Sequence, residues 1–203
     1  MARSSNSRKG TGRKTFSIVV DGETEMWYLQ MLRRNESIPG VSIQPELPKK
    51  KSLKDQYEVV KSNADIYDYS IWVLDLDVVI QVVGALNELR GYLVELKKIK
   101  NVHVLVNTPC LEYWFLQHVK DTGAYFPLCD SAGKELKKYD PLKDYEKTEK
   151  YFVQSDLDIY KRLKPHLKIC IANAAKRGDF DIDNPKQGKA ELYKLFGILG
   201  IAP

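Results

Sequence analysis

Short apolar runs that stop at charged or turn-forming residues set the rhythm of the first half of this chain. Phe16-Ser17-Ile18-Val19-Val20 runs into Asp21-Gly22-Glu23-Thr24-Glu25, and Ile71-Trp72-Val73-Leu74 runs into Asp75-Leu76-Asp77. Runs of this length, rich in Val and Ile, read as strands buried on both faces, as in a parallel sheet. Between them the period lengthens to that of a helix. Trp27, Tyr28, Met31 and Leu32 share one face and predict a helix over 24–35, with Thr24 as N-cap. Pro39-Gly40 breaks the chain, and alternation over 41–47 predicts a second strand. Ser52 is placed to cap a helix over 53–63. Val82, Val83, Leu86, Leu89, Leu93 and Leu96 predict one long amphipathic helix over 79–99. A fourth strand is expected over 102–106, followed by a helix with Thr108-Pro109 in its first turn.

Strands separated by helical segments are the mark of an α/β fold, here a doubly wound parallel sheet of about four strands with helices on both faces. Beyond residue 120 the pattern changes. Segments over 134–138, 149–164, 165–176 and 188–199 read as helices, so a helical C-terminal extension without strands is expected. The organisation is then a basic, disordered tail (1–14), an α/β core (15–120) and the extension (121–203). A chain of 203 residues is long enough for one full core of this kind.

Composition narrows the setting. No apolar stretch approaches the about 20 residues needed to span a bilayer, and residues 1–14 lack the apolar segment of a secretory signal. Cys110, Cys129 and Cys170 are widely spaced and odd in number, which suggests idle thiols in a reducing, cytoplasmic compartment. The net charge of +5 is a mild excess, so its distribution matters more than its size. Arg3, Arg8, Lys9, Arg13 and Lys14 fill the tail. Lys49, Lys50 and Lys51 form a second run. Lys134, Lys137, Lys138, Lys143 and Lys147 form a third, interleaved with Tyr139 and Tyr145. Basic residues among aromatics suit a nucleic-acid strand; solvated helix faces give the same pattern.

The acidic clusters carry the chemistry. In open α/β sheets ligands sit at the carboxyl ends of the strands. Two such strands side by side would gather several carboxylates whose mutual charge raises their pKa values unless a cation neutralises it. A hard divalent ion, Mg²⁺ or Mn²⁺, fits oxygen donors of this kind. Ordinary structural roles stay open for each residue. Asp21-Gly22 could be a plain strand-to-helix turn, Asp75 and Asp77 could cap a helix, and Glu112 could serve a helix dipole. His118, one turn beyond Trp114, reads as a core histidine.

Three motifs in order carry a family resemblance. An acidic-Gly-x-Thr-Glu turn (Asp21 to Glu25), an Asp-x-Asp pair (Asp75, Asp77) and the run Asn107-x-Pro109-Cys110-x-Glu112-x-Trp114-x-x-x-His118 together resemble the RloB family. RloB-like proteins belong to the Toprim (topoisomerase–primase) superfamily of metal-dependent phosphoryl-transfer folds. The resemblance implies Asp75 and Asp77 as Mg²⁺ ligands. It implies Asp21 as ligand or general acid/base, with Glu25 or Glu112 sharing that work. Asp21 departs from the Glu usual at its position, and its shorter side chain leaves open which carboxylate takes the catalytic role. Lys49, Lys50, Lys51, Lys137 and Lys138 are the candidate nucleic-acid contacts. The implied activity is a metal-dependent nuclease in bacterial defence against phage or mobile elements, acting on DNA or RNA, tRNA included. A homo-oligomer or a defence-system partner protein is also expected. The competing reading is a non-catalytic nucleic-acid- or protein-binding component of a defence complex. No P-loop or Gly-rich dinucleotide motif supports a nucleotide-handling enzyme.

Overall fold

Parallel pairing of four strands builds the frame: β1 (Phe16–Val19), β2 (Val41–Gln44), β3 (Tyr69–Asp75) and β4 (Val102–Thr108). A fifth strand of two residues, β5 (Lys189–Ala190), runs antiparallel to β4, and the order across the sheet is β2-β1-β3-β4-β5. The computed structural model describes residues 12–44 and 52–202. The tail up to residue 11, the end of the second predicted strand and Lys49, Lys50 and Lys51 lie outside the described residues.

Strand side chains alternate between two cores, as pleating demands. Ile18, Ile71, Val73 and Leu105 point to one side and Val19, Trp72, Leu74 and Val106 to the other. The second face is covered by α2 (Leu53–Ile66) and α4 (Ala85–Leu96), which contribute Tyr57, Val60, Leu89 and Leu96. The first face is covered by α1 (Glu23–Glu36) and α5 (Leu111–Gln117), and outside them by α8 (Ile159–Leu163), α9 (Leu167–Ala175) and α10 (Tyr193–Leu199). Every residue of α5 is buried. Its Trp114 indole donates to the Tyr28 hydroxyl at 3.0 Å, which satisfies the polar end of an otherwise apolar core contact. Residues 121–202 share this core with the sheet through Leu136, Leu142, Phe152, Tyr160, Cys170 and Phe196.

Several expectations need correction. The extension does contribute a strand, since β5 pairs Ala190 with Asn107 and Lys189 with Thr108. Two residues are too few to show any alternation. Glu191, next in the chain, continues the pairing with both backbone and side chain. Its amide donates to the Val106 carbonyl at 3.0 Å, and its carboxylate accepts from Val106 N at 2.9 Å and Phe180 N at 3.0 Å. The predicted helix over 79–99 is two pieces, α3 (Asp77–Gln81) and α4, broken at Val82 to Gly84. Five β-branched residues between Asp77 and Gly84 favour helix weakly, and Gly84 takes a left-handed φ of 84°. Val82 and Val83, expected on the apolar face, are exposed as a result. Pro109 lies before α5 rather than in its first turn, after a cis peptide at Thr108-Pro109. Gly22, not Thr24, is the N-cap of α1. The segment over 149–164 forms α7 (Glu149–Phe152) and α8 rather than one helix. The Ser52 cap matches its expected detail. Ser52 and Asp55 form a reciprocal capping box at the start of α2.

Candidate functional site

β1 and β3 are neighbours in register, with Val19 opposite Trp72, so the turns that follow them emerge side by side. Asp21, Gly22, Glu23, Thr24, Glu25, Trp27, Asp75, Asp77, Cys129 and Lys147 line one cleft of about 430 Å³ there. The two acidic clusters of the sequence therefore share one small volume at the carboxyl ends of adjacent strands.

Each carboxylate is held in its own way. Asp75 ends β3 and is buried; its Oδ2 accepts from the Leu111 amide at 3.1 Å, in the first turn of α5. Glu25 is buried in the first turn of α1, and its carboxylate is hydrogen-bonded to Asp75. Gly22 leaves room for it, because a Cβ at position 22 would lie 2.8 Å from Glu25 Oε2. Asp77 opens α3 and is half-buried. The turn carrying it is fixed by the Pro109 carbonyl, which accepts from Leu76 N at 2.9 Å and Asp77 N at 3.0 Å. Asp21 Oδ1 accepts from the Gln56 amide at 2.7 Å, and Gln56 Oε1 accepts from the Trp72 indole at 2.9 Å. An indole nitrogen can only donate, so Trp72 fixes which end of Gln56 faces Asp21. Gln56 is a site residue that the sequence reading missed, and an isolated Gln on a helix face gives no signal for it.

Glu112 joins the cluster from α5. It is buried, accepts from the Tyr145 hydroxyl at 2.9 Å and pairs with Lys147 Nζ at 3.0 Å, both through Oε1. Its Oε2 is buried without a hydrogen-bond partner. The electrostatics follow from this packing. Burial pushes Glu25 up from 4.5 to about 7, and the Glu112 charge adds to the rise. Burial, then the charges of Glu25 and Glu112, hold Asp75 well above the usual carboxylate range. Asp77 is raised by burial as well, with the Val78 amide opposing. Burial alone would lower Lys147, yet Glu112, Glu25 and Asp75 hold its ammonium above the ordinary lysine value. Buried hard oxygen donors with raised pKa values and one orphaned carboxylate oxygen suit a divalent cation in their chemistry, although among the described residues the three side chains already within ligating distance of one another are Cys110, Glu112 and Cys129, whose sulfurs are bonded to each other.

The remaining candidates separate. Lys137 lines an adjoining cleft of about 490 Å³ with Glu112, Cys129, Lys134, Tyr145 and Lys147. Lys138 is exposed and pairs with Glu135 at 2.7 Å, away from both clefts. His118 is buried, its Nδ1 bonded to the Trp114 carbonyl at 3.1 Å, and burial pushes it down to about 3, which matches a core histidine. The cysteine reading fails for two of three. Cys110 and Cys129 are joined in a disulfide and Cys170 alone is a free, buried thiol. Nineteen residues of separation gave no spacing signal, and the fold brings the pair together. The inference of a reducing compartment loses its footing with them. Cys129 Sγ also lies 3.0 Å from Asp77 Oδ2, at the lip of the acidic cleft.

A mostly parallel sheet under two helical layers, with buried carboxylates where adjacent central strands end, defines the class: an α/β protein with an acidic strand-end site. Within that class the chain belongs to the RloB-like family. The sequence profile described as RloB-like protein matches residues 16–195, from the first strand into the last helix. No curated protein and no solved structure gave a match. Among the described residues, no helix is long and apolar enough to cross a membrane.

Proposed function

We propose that this protein is a metal-dependent nuclease of the Toprim type, hydrolysing phosphodiester bonds in DNA or RNA. The observation that carries the reading is the buried group of Glu25, Asp75 and Glu112 with Asp77 and Asp21 at its mouth. Asp75 and Asp77 would hold Mg²⁺ or Mn²⁺. Bound there, the ion supplies Lewis-acid stabilisation of charge developing on a phosphate oxygen. Glu25, raised to about 7, is suited to take a proton from an attacking water near neutral pH. Asp21 is held by Gln56 facing the same cleft, as a further ligand or as the group that orients that water. Lys137, beside the acidic cleft, offers charge to the polyanion. The family resemblance supports a role in bacterial defence, with DNA, RNA and tRNA all in view as substrates.

Incubation with plasmid, single-stranded DNA and total tRNA, with Mg²⁺ or Mn²⁺, tests the reading directly. The wild type should cleave at least one of them, and the double variant Asp75→Asn, Asp77→Asn should lose cleavage by about 10³-fold or more while keeping its circular dichroism. Retained cleavage in the double variant rejects the assignment.

One observation favours a second reading, a binding component without catalysis. Asp21 stands where Toprim domains usually have Glu, and it already accepts the Gln56 amide. Calorimetry showing nucleic-acid binding but no Mg²⁺ or Mn²⁺ binding would select that alternative.

A further inference from the structure

Lys147 behaves unlike the lysines around it in sequence. Lys134 pairs with Asp130 at 2.7 Å, Lys138 with Glu135 at 2.7 Å and Lys143 with Asp140 at 3.0 Å, all exposed. Lys147 reaches inward to the nearly sealed carboxylate of Glu112. Its charge also acts on Glu25, Asp75 and Asp77. It lines both the acidic cleft and the adjoining cleft that holds Lys137 and Tyr145. Half of its side chain is still exposed, at 50% of the reference surface, so the ammonium has somewhere to go. Buried carboxylates need a proton or a counter-charge before any metal arrives. A compact ammonium on a four-carbon stem can supply it and then leave.

We propose that Lys147 is a tethered counter-cation of the carboxylate cluster, displaced by the divalent ion and turned along the adjoining cleft onto a substrate phosphate. The inference rests on the metal-dependent reading above and adds to it, because that reading needs the carboxylates alone. Glu112 Oε2, buried and without a hydrogen-bond partner, is the acceptor left available to the incoming cation. Lys147 occupies the other oxygen of the same group. The path open to it is the second cleft, which Lys147 lines together with Lys137 and Thr148.

Calorimetric titration of Mg²⁺ and of Mn²⁺ into the metal-free protein, at pH 8 and fixed ionic strength, compares the wild type with Lys147→Met and Lys147→Arg. Removing a competing charge from within several ångströms should tighten metal binding of Lys147→Met by about 10-fold. Lys147→Arg should stay near the wild type. Unchanged or weaker affinity in Lys147→Met, with metal binding in the wild type intact, overturns this inference alone. No metal binding by the wild type overturns the metal-dependent reading and this inference with it. Thermal unfolding gives a second measure should Lys147→Met fold poorly. It should melt below the wild type in EDTA and gain more than the wild type from added Mg²⁺. Equal gains overturn the displacement. At saturating metal, Lys147→Met should cleave about 10²-fold more slowly, with partial rescue by Lys147→Arg.

Discussion

Glu25 shows how much one position depends on its neighbours. It was legible in the sequence as a carboxylate near a strand end. What could not be read there is that it folds back over Gly22 and shares a hydrogen bond with Asp75, fifty residues away. That contact has a thermodynamic sign. Its pKa is raised from 4.5 to about 7 by folding, so across that window the metal-free native state keeps a proton that the unfolded chain has released. Rising pH then favours unfolding. Asp75 is raised in the same direction and partly by the same partner. In EDTA the wild type should therefore lose about 3 kcal/mol of stability relative to Glu25→Gln between pH 4.5 and 7. Denaturant unfolding at several pH values measures it, and parallel curves for the two proteins would refute it. Glu112 was also visible as a candidate, but its partners Tyr145 and Lys147 come from a segment whose approach no local pattern announces.

At the scale of elements, the signals that worked were those written in consecutive residues. Ser52 and Asp55 form a capping box because three positions separate them in any helix that begins at Leu53. Ser52→Ala should cost about 1 kcal/mol of stability, while Gln56, one turn further along α2 and held by the Trp72 indole, keeps its bond to Asp21 in the acidic cleft. Urea unfolding compared with metal titration would separate the two effects, and a change in metal affinity would contradict the local account. The strand pattern worked for the same reason, since β1, β3 and β4 are each buried on both faces. The pattern failed where apolar residues mislead. Val82 and Val83 satisfy a helical period, yet α3 stops at Gln81 and Gly84 starts α4, which leaves them in solvent between the two helices. It failed also at β5, whose identity depends on β4 being there to receive it.

For the whole molecule, residues beyond 120 do more than decorate a sheet. They supply Cys129, Tyr145 and Lys147 to the site and a large share of the core beneath α5. The disulfide between Cys110 and Cys129 ties the start of α5, which holds Asp75, to the start of α6 (Cys129–Leu136). Closing a loop of this size should stabilise the fold by about 3 kcal/mol. Melting with and without reductant should show that loss, and its absence in a Cys110→Ser, Cys129→Ser variant would trace it to this bond. The edge of β4 carries a separate consequence. Val106 has both its amide and its carbonyl engaged by Glu191, whose carboxylate stands in for the peptide group another strand would have brought. At Val106 that flank has no backbone group left to offer a second copy. An incoming strand therefore finds that register closed at Val106, and Glu191→Ala, which frees the Val106 amide, should raise edge-to-edge self-association as read by light scattering; no rise would refute this account.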